Sequence, residues 1–173
     1  MAGSADRTHA MLRESAVSQF RIEKRRTEGL LRISSGALLH GCFFIAGGSA
    51  RHDGPERVWD LLNSETGLFP FEVSDGDGPR TILVNREHVV TVALPDNEAT
   101  SDPGYAVATR RGVSLLLSTG ERLEGFVRVY RPEGHDRLSD WARQSEIFRY
   151  LETADATLII NSAHIVEISE MGA

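Results

Sequence analysis

The chain has one cysteine, Cys42, among 173 residues. No internal disulfide can form, and a reducing, cytoplasmic setting is expected. Long apolar runs are also missing. The longest, Ala37–Gly48, is interrupted by His40 and falls well short of the roughly 20 residues a membrane-crossing helix needs. The polar, charged stretch Met1–Arg13 contains no apolar segment, so secretion is not expected. There is no glycine-rich phosphate loop and no Gly-x-Ser-x-Gly elbow. Cys42 lies in an apolar strand pattern, where a thiol is usually inert core. Asp75 and Asp77 fall in a Gly-rich turn that explains them without chemistry. A non-enzymatic protein without a cofactor is the expectation.

What is present is an ordinary globular composition, 40% hydrophobic and 25% charged, with an uneven net charge of −6. Arg7, Arg13, Arg21, Lys24, Arg25 and Arg26 outnumber Asp6, Glu14, Glu23 and Glu28 over residues 1–28. The remainder is correspondingly more acidic, and such a body repels polyanions. RNA is therefore a disfavoured partner.

The main signal is internal repetition. Leu31–Gly41 lines up with Leu115–Gly125, each holding two glycines five apart with a leucine between them. Arg57-Val-Trp-Asp60 lies over Arg137-Leu-Ser-Asp140 and continues to Leu68/Phe148, Phe71/Leu151, Glu72/Glu152 and Asp75/Asp155. Thr81–Val92 lies over Thr157–Ile168 with Thr, Asn, His and one Val identical. Three blocks in one order imply duplication.

Each copy reads as about five strands. Val113, Leu115 and Leu117 alternate with polar or outward positions, a Thr119-Gly120-Glu121 turn follows, and Val127 and Val129 continue the alternation. That is a hairpin pattern. Glu56–Glu65 and Arg137–Glu146 predict short helices, with Ser139 or Asp140 able to cap the second. In the first copy the turn between the third and fourth strands is expected to be enlarged by Asp75–Pro79. Ala5–Glu28 lacks internal Gly and Pro and predicts a helix. The expected organisation is a helical segment over 1–28, a first repeat over 29–94, a linker over 95–111 and a second repeat over 112–173. Closure of each repeat into a small barrel would bury such short strands and remove most edges.

The Gly-x-x-Leu-x-Gly hairpins (Gly36 to Gly41, Gly120 to Gly125) and the closing blocks, with hydrophobes flanking a polar break before Ile-Val-x-Ile, resemble Sm-like domains. SH3-like barrels share this strand grammar. The resemblance covers both repeats and implies a mainly β protein of two tandem five-stranded Sm-like or SH3-like barrels, of uncharacterised bacterial type. It also implies a homo-oligomer, since Sm-like barrels associate through the fourth strand of one and the fifth of the next. The usual Arg-Gly of the break is replaced by Asn85-Arg86 and Asn161-Ser162, so the RNA-binding set of that family is not reproduced.

His88 and His164 occupy equivalent places, inviting a metal or acid–base reading. No Cys or His lies at ligand spacing, which favours packing at the turn. Asn85 and Asn161 suit turn geometry. Arg57 with Asp60, and Arg137 with Asp140, are spaced for an intrahelical pair or for a contact across a boundary. Arg21 and Arg25 match the Arg-x-x-x-Arg element of PilZ-type cyclic-di-GMP receptors, where two arginines one helical turn apart clamp phosphates. The accompanying Ser motif has the wrong spacing at Asn63–Gly67. The expectation is a self-associating scaffold or protein-binding module, with an unknown protein partner and no membrane. The alternatives are an RNA-binding protein with a changed pocket, or a cyclic-di-GMP sensor.

Overall fold

A computed structural model describes residues 24–65, 67–130, 134 and 137–172. Strands dominate: β1 (Lys24–Ile33), β2 (Leu38–Ala46), β3 (Leu68–Asp75), β4 (Gly78–Asn85), β5 (Val89–Ala93), β6 (Thr109–Leu117), β7 (Arg122–Val129), β8 (Phe148–Glu152), β9 (Thr157–Asn161) and β10 (Ile165–Glu170). Two short helices, α1 (Val58–Ser64) and α2 (Leu138–Ala142), interrupt them. Three 3₁₀ turns cover Arg86–His88, Glu98–Ser101 and Ser162–His164. The protein is mainly β.

The strands form one antiparallel sheet of ten, in the order β10-β6-β7-β8-β9-β5-β1-β2-β3-β4. The first five strands run fifth-first-second-third-fourth, and so do the second five. Their junction is β5 against β9, with Thr91 opposite Ile160, Val92 opposite Ile159 and Ala93 opposite Leu158. The pairing thus does not establish the two closed barrels expected from the sequence. It defines a continuous sheet with β4 and β10 at its ends.

Two apolar cores lie along this sheet. The first gathers Leu31, Phe43, Phe71 and Val92 together with Phe148 and Ile159 from the second half. The second gathers Val113, Leu115, Val127 and Leu151 together with Val90 from the first. Each half therefore contributes side chains to its neighbour's core, so the junction is built of the apolar burial that stabilises the fold.

The paired glycines have separate tasks. Gly36 and Gly120 adopt φ of +86° and +84°, a left-handed turn conformation that other residues enter only with strain. At Gly41 and Gly125 the constraint is space. A Cβ there would sit 1.8 Å from the Glu72 carbonyl oxygen or 2.4 Å from that of Glu152. The neighbouring backbone passes too close for any side chain.

Two expectations need correction, and a third holds. Lys24–Glu28 are strand, pairing with Glu28 opposite Cys42 and Lys24 opposite Ala46, so the helix predicted over Ala5–Glu28 does not extend there. Its remainder, 1–23, lies outside the described residues. The Asp75–Pro79 insertion does not enlarge the turn: Gly76 and Asp77 alone connect β3 to β4, and the extra residues lengthen the hairpin arms instead. Asp140, of the two residues expected to cap the second helix, does so. It lies in the first turn, and its carboxylate accepts from the Arg137 backbone N–H at 3.1 Å, as Asp60 does from Arg57 at 2.9 Å. A carboxylate in the first turn satisfies an otherwise orphan donor.

Candidate interaction surface at the sheet edges

The polar breaks position the junction. Asn85 and Asn161 each precede a 3₁₀ turn and accept from the N–H two residues on, Glu87 and Ala163. Ser34 and Ser118, equivalent residues at the ends of β1 and β6, meet the ring Nδ1 of His88 and His164 at 2.8 and 2.6 Å. Their N–H groups donate to the carbonyls of those same histidines. Each histidine thus fastens its break to the first strand of its own half.

The second break does more, because it meets the first. The Asn161 amide donates to the carbonyls of Arg86 (3.3 Å) and Val89 (2.9 Å). The His164 ring donates from Nε2 to the Glu87 carbonyl at 2.8 Å. Facing a carbonyl, Nε2 carries the proton, which leaves Nδ1 to accept from the Ser118 hydroxyl in the neutral ring. Among the described residues Asn85 and His88 make no matching bonds, because no strand lies beyond β4.

Burial repeats this contrast. Leu83 on β4 is 65% exposed, whereas its counterpart Ile159 on β9 is 1% exposed; Val166 on β10 is 64% exposed and its counterpart Val90 is fully buried. Leu68 is exposed and its counterpart Phe148 is buried. These are equivalent positions, sealed at the junction and open at the two ends. The open ends also differ in charge: β4 carries Arg80, and β10 carries Glu167 and Glu170.

Side chains outside the sheet reinforce the junction. Asn63 on α1 donates to the Phe148 carbonyl and accepts from its N–H, both at 3.0 Å, and the Trp59 indole donates to the same carbonyl at 2.7 Å. Glu98 in the connecting segment accepts from the N–H groups of Val58 and Trp59 and from the Tyr150 hydroxyl. Burial pushes its carboxyl up from the ordinary value, against those stabilising bonds. Arg57 contacts both Asp60 (3.2 Å) and Asp102 of the connecting segment. Arg57 thus makes the expected i,i+3 contact and also ties the start of α1 to the connecting segment. Arg137 and Asp140 form no ion pair among the described residues; the Arg137 N–H donates to the Asp140 carboxylate and the Asp140 N–H to the Arg137 carbonyl.

Two arginines hold the helices. Arg86 donates to the carbonyls of Leu61 and Gly67 over the ring of Phe69. Arg149 donates to the carbonyls of Trp141, Ala142, Gln144 and Glu146 over the ring of Trp141. Burial lowers the pKa of both. The sequence did not single these residues out, nor Glu98, Leu83 or Val166. The Leu83/Ile159 and Val90/Val166 matches in the repeat were the signal available for the last two.

No cluster of three or more His, Cys, Asp or Glu side chains able to hold a metal exists among the described residues. Arg25 sits in strand β1, so the one-turn helical spacing required of an Arg21–Arg25 phosphate clamp does not hold at Arg25; Arg21 lies outside the described residues. Cys42 lies half-buried on β2, its thiol pushed up chiefly by burial. No described helix is long and apolar enough to cross a membrane. No family model, curated protein or solved structure matches the chain.

Proposed function

We propose that this chain is a non-enzymatic, cytoplasmic scaffold and protein-binding module made of two Sm-like units, each curled around its own core, which assembles head to tail. Edge β4 of one copy pairs with edge β10 of the next, as β9 pairs with β5 within the chain. The observation that carries this reading is the contrast between exposed Leu83 and Val166 and their buried counterparts Ile159 and Val90. Exposed strand edges with apolar side chains are templates for pairing. Covering a Leu or Val side chain contributes about 1.5–3 kcal/mol.

Carried to the free edges, the β5–β9 register places Leu83 opposite Ile168 and Val84 opposite Glu167 of the next copy. The Asn85 amide then meets the carbonyls of Ser162 and Ile165, completing the bonds that Asn161 makes internally. A head-to-tail contact of this kind yields a ring if the rotation closes and a filament if it does not.

Size-exclusion chromatography with light scattering tests the proposal. A mass of several chains is expected, falling toward one chain in Leu83→Lys and in Val166→Lys. A strict monomer at high micromolar concentration overturns it.

A further inference from the structure

A second feature lies away from the sheet edges. β7 and β8 pair only at Phe126 opposite Glu152; beyond that point they part, and the chain detours through α2. The gap is a cavity of about 460 Å³, within the usual span of small-molecule sites. α1 and the connecting segment of the first half help to close it. Its walls carry six aromatic side chains: Trp59, Phe126, Tyr130, Trp141, Phe148 and Tyr150. Phe126 and Tyr130 are exposed and mark the mouth.

Most of the charged groups along this wall are bonded within the protein. Asp102 is met by Arg57 and by the Tyr130 hydroxyl. Glu152 is met by Arg128, Arg110 and the Tyr105 hydroxyl. Arg149 is committed to its four carbonyls, and the Glu146 carboxylate lies in its field. Among the described residues the Glu146 carboxylate has no bonded partner and is offset only by the charge of Arg149. Among the described residues the Gln144 amide makes no side-chain bond, and the indole N–H of Trp141 donates to no protein group. That N–H is not sealed in either, since the sealed polar atoms without a partner are Asp60 Oδ1 and Thr119 Oγ1. Trp141 is otherwise buried and lines this cavity.

We infer that the cavity between β7, β8 and the two helices binds an uncharged, flat heteroaromatic molecule. Its faces lie against the aromatic walls and a ring nitrogen or carbonyl accepts from Trp141. Stacking against aromatic walls favours a flat ring. A net charge on the ligand would be desolvated beside a wall whose charges already balance one another, which is costly.

The experiment uses the full chain with 5-fluorotryptophan, because Trp59 and Trp141 are its only tryptophans and both line the site. Fluorine NMR spectra are followed during titration with three bicyclic probes of similar size: neutral quinoxaline, cationic N-methylquinolinium and anionic quinoline-2-carboxylate. Quinoxaline should move both resonances saturably, and the charged probes should bind about tenfold more weakly or worse, a difference of about 1.4 kcal/mol. Phe126→Ala, at an exposed position, should weaken quinoxaline at least severalfold while the circular dichroism stays unchanged. Stationary resonances up to the solubility limit of quinoxaline overturn the inference, as does equal binding of either charged probe. Both outcomes are independent of whether the chain self-associates.

Discussion

The two halves of the sheet solve one structural problem with different residues, and the difference shows where each depends on its neighbour. In both, a short helix between the second and third strands must have its last carbonyls satisfied. The first half uses Arg86, from the polar break, stacked on Phe69. The second uses Arg149, which occupies the position aligned with Phe69, while Ser162 stands where Arg86 would be. The guanidinium has moved from the turn after the fourth strand to the third strand, and its acceptors are still backbone carbonyls. Conversely, the close approach of backbone at Gly41 and Gly125 is kept by the same residue in both halves, because no side chain can substitute for its absence.

Breaking that close approach should give the largest effects. Gly41→Ala is expected to cost about 3 kcal/mol, at the upper end for overpacking, and Gly125→Ala about 2 kcal/mol, because the Glu72 carbonyl is nearer than that of Glu152. Urea unfolding of both variants checks the order. Equal costs would mean that β3 moves aside freely.

The arginine exchange comes next. Arg149→Met should cost about 3 kcal/mol and Arg86→Met about 2 kcal/mol, since buried carbonyls lose charged donors. The comparison sharpens if Arg149→Phe is paired with Ser162→Arg, which rebuilds the first half's arrangement in the second. Recovery of most of the lost stability in the double variant is the expected outcome, measured as a double-mutant cycle.

The junction supplies a third contrast. Asn161→Ala removes a buried amide with two carbonyl partners and should cost about 2 kcal/mol. Asn85→Ala removes only a turn-capping acceptor within the chain and should cost less than about 1 kcal/mol. If the edges pair as proposed, Asn85→Ala should nonetheless lower the assembled fraction in light scattering at limiting concentration. An unchanged assembled fraction would show that Asn85 has no partner across the edge.

How much of this could be read from the chain depended on whether a residue's role was local. Gly36 and Gly120, the alternation around Leu115 and Leu117, and the β-branched runs Thr81–Val84 and Thr157–Ile160 announce strands because turn chemistry and pleat periodicity are local properties. Lys24–Glu28 misled, since its polar composition suits a helix. Only pairing with the apolar run of β2 makes it a strand, a tertiary influence that overrides propensity. Arg86 and Arg149 carried no local signal, because nothing in their sequence neighbours reveals the carbonyls they meet. The connecting segment 95–111 read as a spacer, yet Glu98 and Asp102 within it bind α1 from the outside. Fusion of ten strands into one sheet rests on β5 meeting β9, two runs nearly seventy residues apart by the register of Thr91 and Ile160.

The smallest effect expected separates the halves by pH. In the first half His52 meets the Asp60 carboxylate through Nε2 at 2.7 Å, and its Nδ1 faces the Asp53 carbonyl at 3.2 Å. With an acceptor at each nitrogen, the doubly protonated ring is favoured, and the hydrogen bond to Asp60 raises the His52 pKa. Burial pushes Asp60 the other way, but the Arg57 backbone N–H, His52 and the Arg57 guanidinium outweigh it and leave its pKa lowered. A raised histidine pKa stabilises the fold fully below the unfolded value of about 6.5, and that stability is lost as pH rises through the folded value. The Asp60 contribution has the opposite sense, being present above the ordinary carboxylate range and lost on acidification, so it is constant across the window in which His52 titrates. The difference in thermal midpoint between the native chain and His52→Gln should therefore be greatest near pH 5.5 and shrink toward zero by about pH 9. A difference that stays constant across that range would mean that His52 binds Asp60 as a neutral ring, and that its tie to α1 is a hydrogen bond without charge.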